Sequence, residues 1–373
     1  MRDVVVVALG GVALCLFAGC GGTGSTSTPS PGHTPGSGAA YQARAEAASR
    51  YFLRHYVDPD GRVVRHDQGG DTVSEGQSYG MLIAAAIGDS RSFDSIWAWT
   101  QQHLRTADGL FASHWAGGRV VDPQPASDAD LDASRALLVA ACRFDRPTLR
   151  RQAIALGNSI MSAEVTSFRG EPVLTAGPWA IVPRIIIDPS YFDPATFEML
   201  GAASGDSRWD ALAVSSRSIV GDLMTAPSRL PPDWALLEGD KIVPVGSPSD
   251  LSQPPEFGFD AVRVLIRMAE DPDPSGRRIA ARAWPVFEQQ DPATMPVYHS
   301  LDGRPRTNVK NPVVLVAAAA AADAAGQTAA RDGLLDSAEA IDNHPATRTY
   351  YGAAWVALGR LMLQTKLLDA CSP

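Results

Sequence analysis

From Tyr41 onward, apolar side chains return at intervals of three and four residues, the spacing that gathers them on one face of an α-helix. Stretches at 41–57, 77–87, 93–104, 131–144, 147–162, 191–202, 208–224, 258–269, 276–288, 312–325, 328–341 and 347–367 follow this pattern, and Asp, Ser or Gly stands at many of their ends. The pattern predicts about twelve helices. Strand-like runs are few and short: Val63-Val64, Val173-Leu174, Ile185 to Ile187 and Val243 to Val245. They are too sparse for a parallel sheet built of alternating units, which excludes a TIM barrel or a Rossmann architecture. No Pro/Gly-rich break interrupts 41–373 and no repeat of fixed period appears, so the expectation is one large all-α domain with minor short strands in loops.

The first forty residues read differently. Arg2 precedes an apolar run from Val4 to Ala18, which ends in Phe17-Ala18-Gly19-Cys20. This is the pattern of a signal peptide at 1–20, and it resembles a lipobox in which Cys20 is lipidated. The run is short for a membrane-spanning helix. Residues 21–40 are Gly, Ser, Thr and Pro with almost nothing to bury, and read as a flexible tether. The expectation is an exported chain, either anchored at the extracellular face of the membrane through Cys20 or secreted. Of the remaining cysteines, Cys142 and Cys371 could pair, or Cys142 could be a buried thiol. No cysteine or histidine spacing suggests a metal site.

Composition narrows the partners. A formal charge of -9 over 373 residues leaves no basic surplus to neutralise phosphates, which argues against nucleic acid and permits a neutral polymer. With 45% hydrophobic and 20% charged residues the chain has the balance of a folded globular protein. We expect a monomer.

Three segments combine acids with small residues and aromatics where a helix begins. The first is Ser74-Glu75-Gly76-Gln77-Ser78-Tyr79-Gly80, in which glycines inside a helical turn are costly unless something approaches the backbone closely. The second is Ala126-Ser127-Asp128-Ala129-Asp130-Leu131-Asp132, and the third is Phe257-Gly258-Phe259-Asp260-Ala261-Val262-Arg263-Val264. Each has a plain structural explanation: acids in a first helical turn favour the macrodipole and cap free amides, and an Asp three residues before an Arg can be a surface ion pair. A calcium loop at 128–132 lacks the glycine and bidentate glutamate that site needs.

Together, in this order, the three segments resemble glycoside hydrolase family 8, and within it the bacterial cellulases associated with cellulose synthesis. Asp188-Pro189-Ser190-Tyr191-Phe192 and Pro232-Asp233-Trp234 resemble two further segments of that family, so the likeness runs from about Tyr51 to the C-terminus. The chain departs from the family pattern at Ala133-Ser134, which are helix-packing positions, and at Phe259, where a tyrosine is common. The resemblance implies an (α/α)6 barrel and hydrolysis with inversion. It also implies Glu75 as general acid, Asp260 as general base and Asp128 as the carboxylate that holds a distorted sugar.

A general acid must keep its proton near neutrality, so Glu75 needs surroundings that outweigh a helix N-terminus; Asp128 and aromatic neighbours are expected to supply them. Asp260 must stay ionised, with Arg263 as its partner. Trp115, Trp179, Trp234 and Tyr191 are candidate platforms for sugar rings, whereas Trp97 and Trp99 fall in a helical apolar stripe and read as core. His114 and His344 read as hydrogen-bonded or surface residues. The chemistry requires no cofactor and no metal. The leading expectation is an endo-acting β-1,4-glucanase on cellulose-like polysaccharide. Xylan, mixed-linkage glucan and chitosan stand as alternative substrates, and a carbohydrate-binding lipoprotein as an alternative role.

Overall fold

The computed structural model describes residues 37–369. The signal peptide, Cys20, most of the tether and Cys371 lie outside the described residues. Cys142 is disulfide-bonded.

Twelve helices of eight residues or more are present among the described residues, and they alternate between two degrees of burial. In α2 (Ser74–Ala86) every residue except Glu75 is buried. In α4 (Ser127–Arg143) burial is unbroken from Ser127 to Ala140, in α8 (Ala261–Glu270) from Ala261 to Ala269, and in α11 (Pro312–Ala324) from Pro312 to Ala322. With α6 (Pro194–Ser204) and α13 (Tyr350–Gln364) these form an inner set. The helices between them, α1 (Ser37–Tyr56), α3 (Ser90–His103), α5 (Pro147–Ala163), α7 (Arg208–Leu223), α9 (Pro274–Ala281) and α12 (Thr328–Asn343), keep a polar face toward solvent. That difference is written in composition: α11 is Val-Val-Leu-Val followed by six alanines, apolar all round, as only a helix covered on all sides can be.

The inner helices touch in the order α2, α4, α6, α8, α11, α13 and back to α2, a closed ring. The outer helix α1 precedes the first inner one and an outer helix separates each inner one from the next along the chain, so all six inner helices run the same way. The result is the expected (α/α)6 barrel, with the N-termini of the inner helices gathered at one end.

Proline explains two of the places where the element boundaries differ from the sequence expectation. The stretch 276–288 divides into α9 and a short α10 (Trp284–Phe287) with Pro285 in its first turn. Pro194 opens α6 three residues later than its apolar pattern begins. The strands β1 (Thr72–Val73), β2 (Ala112–Ala116) and β3 (Arg119–Pro125) form an antiparallel sheet that the sequence reading missed. Its hairpin turns on Gly117 and Gly118, both at positive φ, but β3 is too exposed to carry an apolar signature. The pair β4 (Val165–Phe168) and β5 (Glu171–Leu174) contains the expected Val173-Leu174. In the third sheet, β6 (Ile185–Ile187) and β8 (Lys241–Val245) flank the unanticipated β7 (Trp234–Glu238). Val63 forms only an isolated bridge, to Val57.

A ladder of ion pairs crosses the barrel interior. Asp128, Asp132 and Arg135 share one face of α4, and Arg263, Arg267 and Glu270 repeat the same spacing on α8. They meet rung by rung: Asp128 with Arg263 at 2.7 Å, Asp132 with Arg267 at 2.6 Å and Glu270 with Arg135 at 2.8 Å. Asp193 braces the lower rungs, accepting from Arg267 at 2.8 Å and lying 3.5 Å from Arg135. All four charges of those rungs are nearly inaccessible, so each depends on its partner.

Candidate active site

The top rung of that ladder is the floor of the candidate site, at the barrel end where the inner helices begin. Glu75 is the second residue of α2, Asp128 the second of α4, and Asp260 immediately precedes α8. Asp188 comes from a 3-10 turn, Pro189–Tyr191, that leads into α6. Serines and glycines occupy these starts because other groups press close. A Cβ on Gly76 would stand 2.5 Å from the hydroxyl of Tyr350, and the Ser78 hydroxyl of α2 donates to the Ala129 carbonyl of α4 at 2.6 Å. The serine bond ties the Glu75 segment to the Asp128 segment, and the Gly76 approach seats it against the start of α13.

Arg263 lies at the centre. Its Nη1 donates to Asp128 Oδ2 at 2.7 Å, to Glu75 Oε2 at 3.1 Å and to the Tyr79 hydroxyl at 3.2 Å. Its Nη2 donates to Asp260 Oδ1 at 2.8 Å and lies 3.6 Å from Asp188 Oδ2. The guanidinium sits 5.3 Å from the centre of the Tyr191 ring. All three acids expected from the sequence therefore converge on one buried arginine, which was itself expected as the partner of Asp260. Asp128 is buried, whereas the Glu75 side chain keeps 24% of its surface open to solvent and that of Asp260 31%. The two exposed acids are the ones a ligand can reach.

One positive charge cannot hold four carboxylates ionised at no cost. Surrounding protein, despite the open edge of the side chain, pushes Glu75 up to about 7; Arg263 opposes this, and Asp128 and Asp260 add to it. That elevation corresponds to roughly 3 kcal/mol, against about 0.3–1 kcal/mol for a charge at a helix N-terminus. Desolvation thus outweighs the dipole, with Asp128 a secondary contributor. Asp260 is also raised: burial exceeds the pull of Arg263 and of the Trp234 side chain, so Arg263 does not hold it in the ordinary carboxylate range. Burial and the nearby Asp260 raise Asp188 well above that range.

The aromatic candidates separate into two groups. Tyr191 lies under Arg263, and Trp234 meets it edge-on with ring centres 6.3 Å apart, so both belong to the wall beside Asp260. Trp115 stands on β2 opposite Thr72 of β1, which leads directly into α2, and it is half-buried against Trp99 and His103. It flanks the Glu75 side. Trp179 is placed otherwise: its indole N–H donates to the Pro125 carbonyl at 3.1 Å, fastening the end of β3 ahead of Asp128. Trp97 and Trp99 are buried, His114 bonds Asp71 at 2.7 Å, and the Nδ1 of His344 accepts the Ala346 amide at 3.3 Å.

Sequence reasoning overlooked Asp188, Tyr79, Tyr350 and Tyr351 as members of this cluster. The signal for Tyr350 was Gly76, whose missing side chain makes room for that phenol. Tyr351, which donates to the Phe259 carbonyl at 2.7 Å, had no comparable signal, because its helix start lies far away in the sequence.

Known proteins share this arrangement of helices. The chain is 31% identical over 254 residues to an endoglucanase of Escherichia coli (strain K12), covering 63% of this chain and 66% of that one. An endoglucanase of Cellulomonas uda is 27% identical over 234 residues, 60% of this chain and 63% of that one. The matched region thus spans slightly less than two thirds of either relative. The solved structure of an endo-beta-1,4-glucanase from Acetobacter xylinum superposes with a TM-score of 0.71 at 28% identity, over 85% of this chain and 96% of that one. The family model described as glycosyl hydrolases family 8 matches residues 37–365, and the chain belongs to that family.

Proposed function

We propose that the protein is an endo-acting glucanase that hydrolyses internal β-1,4 bonds of a cellulose-like polysaccharide with inversion. The observation that carries this reading is that Glu75, pushed up to about 7, shares Arg263 with Asp128 and Asp260 at the open end of the barrel. Family membership and the names of the relatives support the same substrate class.

In this scheme Glu75 donates its proton to the glycosidic oxygen as the bond breaks. Asp260 takes a proton from a water that attacks the anomeric carbon from the opposite face. Its raised pKa makes it a stronger base than an ordinary aspartate once it is ionised. Asp128, anchored on Arg263 and buried, holds the distorted ring. The path from Glu75 Oε2 through the two guanidinium nitrogens to Asp260 Oδ1 limits the acid–base separation to roughly 8 Å, taking the nitrogens as ~2.3 Å apart. That ceiling accommodates the spacing of about 6.5–9.5 Å that leaves room for the attacking water. Tyr191 and Trp234 offer ring faces on the Asp260 side and Trp115 on the other.

The test is digestion of cello-oligosaccharides followed by NMR of the first product anomer. The α-anomer is expected from a β-linked substrate, and β-anomer product would defeat the inverting scheme. Glu75→Gln should abolish turnover while leaving binding of the polymer intact. Comparison of rates on cellulose derivatives, xylan, mixed-linkage glucan and chitosan ranks the substrates, and a clear preference for chitosan would overturn the glucanase reading.

A further inference from the structure

An aspartate at the start of a helix ordinarily turns its carboxylate onto the free amides of the first turn. Asp260 stands at that position before α8 yet caps nothing; its Oδ1 goes to Arg263 instead. The amides around it are taken up from elsewhere. Asp233, which is buried, accepts with one oxygen, Oδ1, from the amide of Gly258 at 2.8 Å and from that of Ala261 at 2.7 Å, on either side of Asp260. Held in this turn, the carbonyls of Gly258 and Asp260 accept the next two amides, of Val262 at 3.3 Å and Arg263 at 3.0 Å. A Cβ on Gly258 would come within 2.5 Å of Asp233 Oδ2, so glycine is what allows the carboxylate to approach so closely. Asp233 is itself fixed by donation of its own amide to the Glu256 carbonyl at 2.8 Å.

We propose that Asp233 is a positioning residue for the general base: by capping α8 in place of Asp260, it leaves the Asp260 carboxylate free to keep its open edge toward solvent. The inference rests on the reading of Asp260 as base. Without the Asp233 acceptor the turn at 258–261 relaxes, and the nearest carboxylate able to satisfy the helix start is that of Asp260. A carboxylate that accepts backbone amides is stabilised as the anion, hence a weaker base, and one folded onto its own helix no longer points at the water.

The experiment measures kcat and KM against pH on a soluble cello-oligosaccharide for Asp233→Ala and Asp233→Asn. For Asp233→Ala we expect kcat to fall by roughly 10²-fold, the scale of an ångström-level misplacement, with KM nearly unchanged and the acid limb of the profile moved to lower pH. Asp233→Asn keeps an oxygen on the same two amides and should restore kcat to within a few-fold. Wild-type kinetics in Asp233→Ala, a loss of kcat with an unmoved acid limb, or an asparagine variant as impaired as the alanine one would each overturn the inference. If Asp233→Ala does not fold, Asp233→Ser, too short to reach both amides, is judged by the same criteria. Asp260→Asn separates the two levels. Activity surviving in that variant defeats the base assignment, whereas an inactive Asp260→Asn beside a silent Asp233→Ala defeats only the positioning role.

Discussion

Glu75 is the single residue of α2 that is not buried, and its chemistry follows from that position. Crowding by protein holds its proton on up to about 7, while the open edge gives a ligand access. A bell-shaped dependence of kcat/KM on pH follows, with activity lost on the alkaline side near 7 as Glu75 ionises, and on the acid side above the ordinary aspartate range as Asp260 is protonated. Since Asp128 helps to raise Glu75, the residual activity of Asp128→Asn should show its alkaline limb at lower pH; a limb that stays in place would remove Asp128 from the electrostatics of the acid. The sequence carried Glu75, Asp128, Asp260 and Arg263 as three short motifs; taken singly, the first two read better as helix capping and the third as a surface ion pair. Their joint resemblance to one family already favoured the catalytic reading, and the structure adds what no local pattern contains, their convergence on one guanidinium in the closed ring. Asp188 illustrates the other limit: an Asp-Pro-Ser turn looks like ordinary punctuation until burial and the neighbouring Asp260 act on it.

At the level of elements, small residues decide how close the inner helices come. A Cβ on Gly359 of α13 would lie 2.3 Å from Val316 Cγ1 of α11, where α11 is otherwise lined with alanines. Replacing a mid-helix glycine by alanine normally stabilises by about 0.5–1 kcal/mol. Here the added methyl must displace a stiff β-branched neighbour in a packed interior, so Gly359→Ala should instead destabilise by about 1–3 kcal/mol, read as a lower denaturation midpoint. A midpoint that rises would mean the α11–α13 contact is loose. The ladder between α4 and α8 calls for a second measurement. Arg267→Met strands the buried Asp132 and leaves Asp193 with Arg135 as its remaining cation, and should cost about 3–5 kcal/mol. The helices themselves were legible because their apolar periodicity is strong. The β1–β2–β3 sheet was not, because its strands are short and half-exposed and take their register from pairing at Thr72–Trp115 and Val73–His114 rather than from alternation.

Across the whole molecule, gathering acids inside a helical barrel makes stability depend on pH in an unusual direction. Glu164 is pushed up to about 8 and Asp342 to about 7, both chiefly by burial, and Asp130 lies well above its ordinary range. These groups ionise near 4 in an unfolded chain. Between that pH and their folded values, the folded state keeps protons that the unfolded state has released, so stability falls as pH rises from about 4 to 8. Asp193 and Asp332 are lowered instead, and what they contribute is lost only as pH falls below the ordinary aspartate range. Maximum stability should therefore lie on the acidic side of neutrality. Asp342 tests this away from the candidate site: it is 3% exposed, its Oδ1 has no hydrogen-bond partner, and the attraction of Arg348 does not offset its burial. Asp342→Asn removes the ionisation and keeps the shape, so it should stabilise by on the order of 3 kcal/mol at pH 8 and very little at pH 4. Thermal midpoints of both proteins at the two pH values decide the matter, because a gain equal at both would assign the effect to packing rather than to the proton.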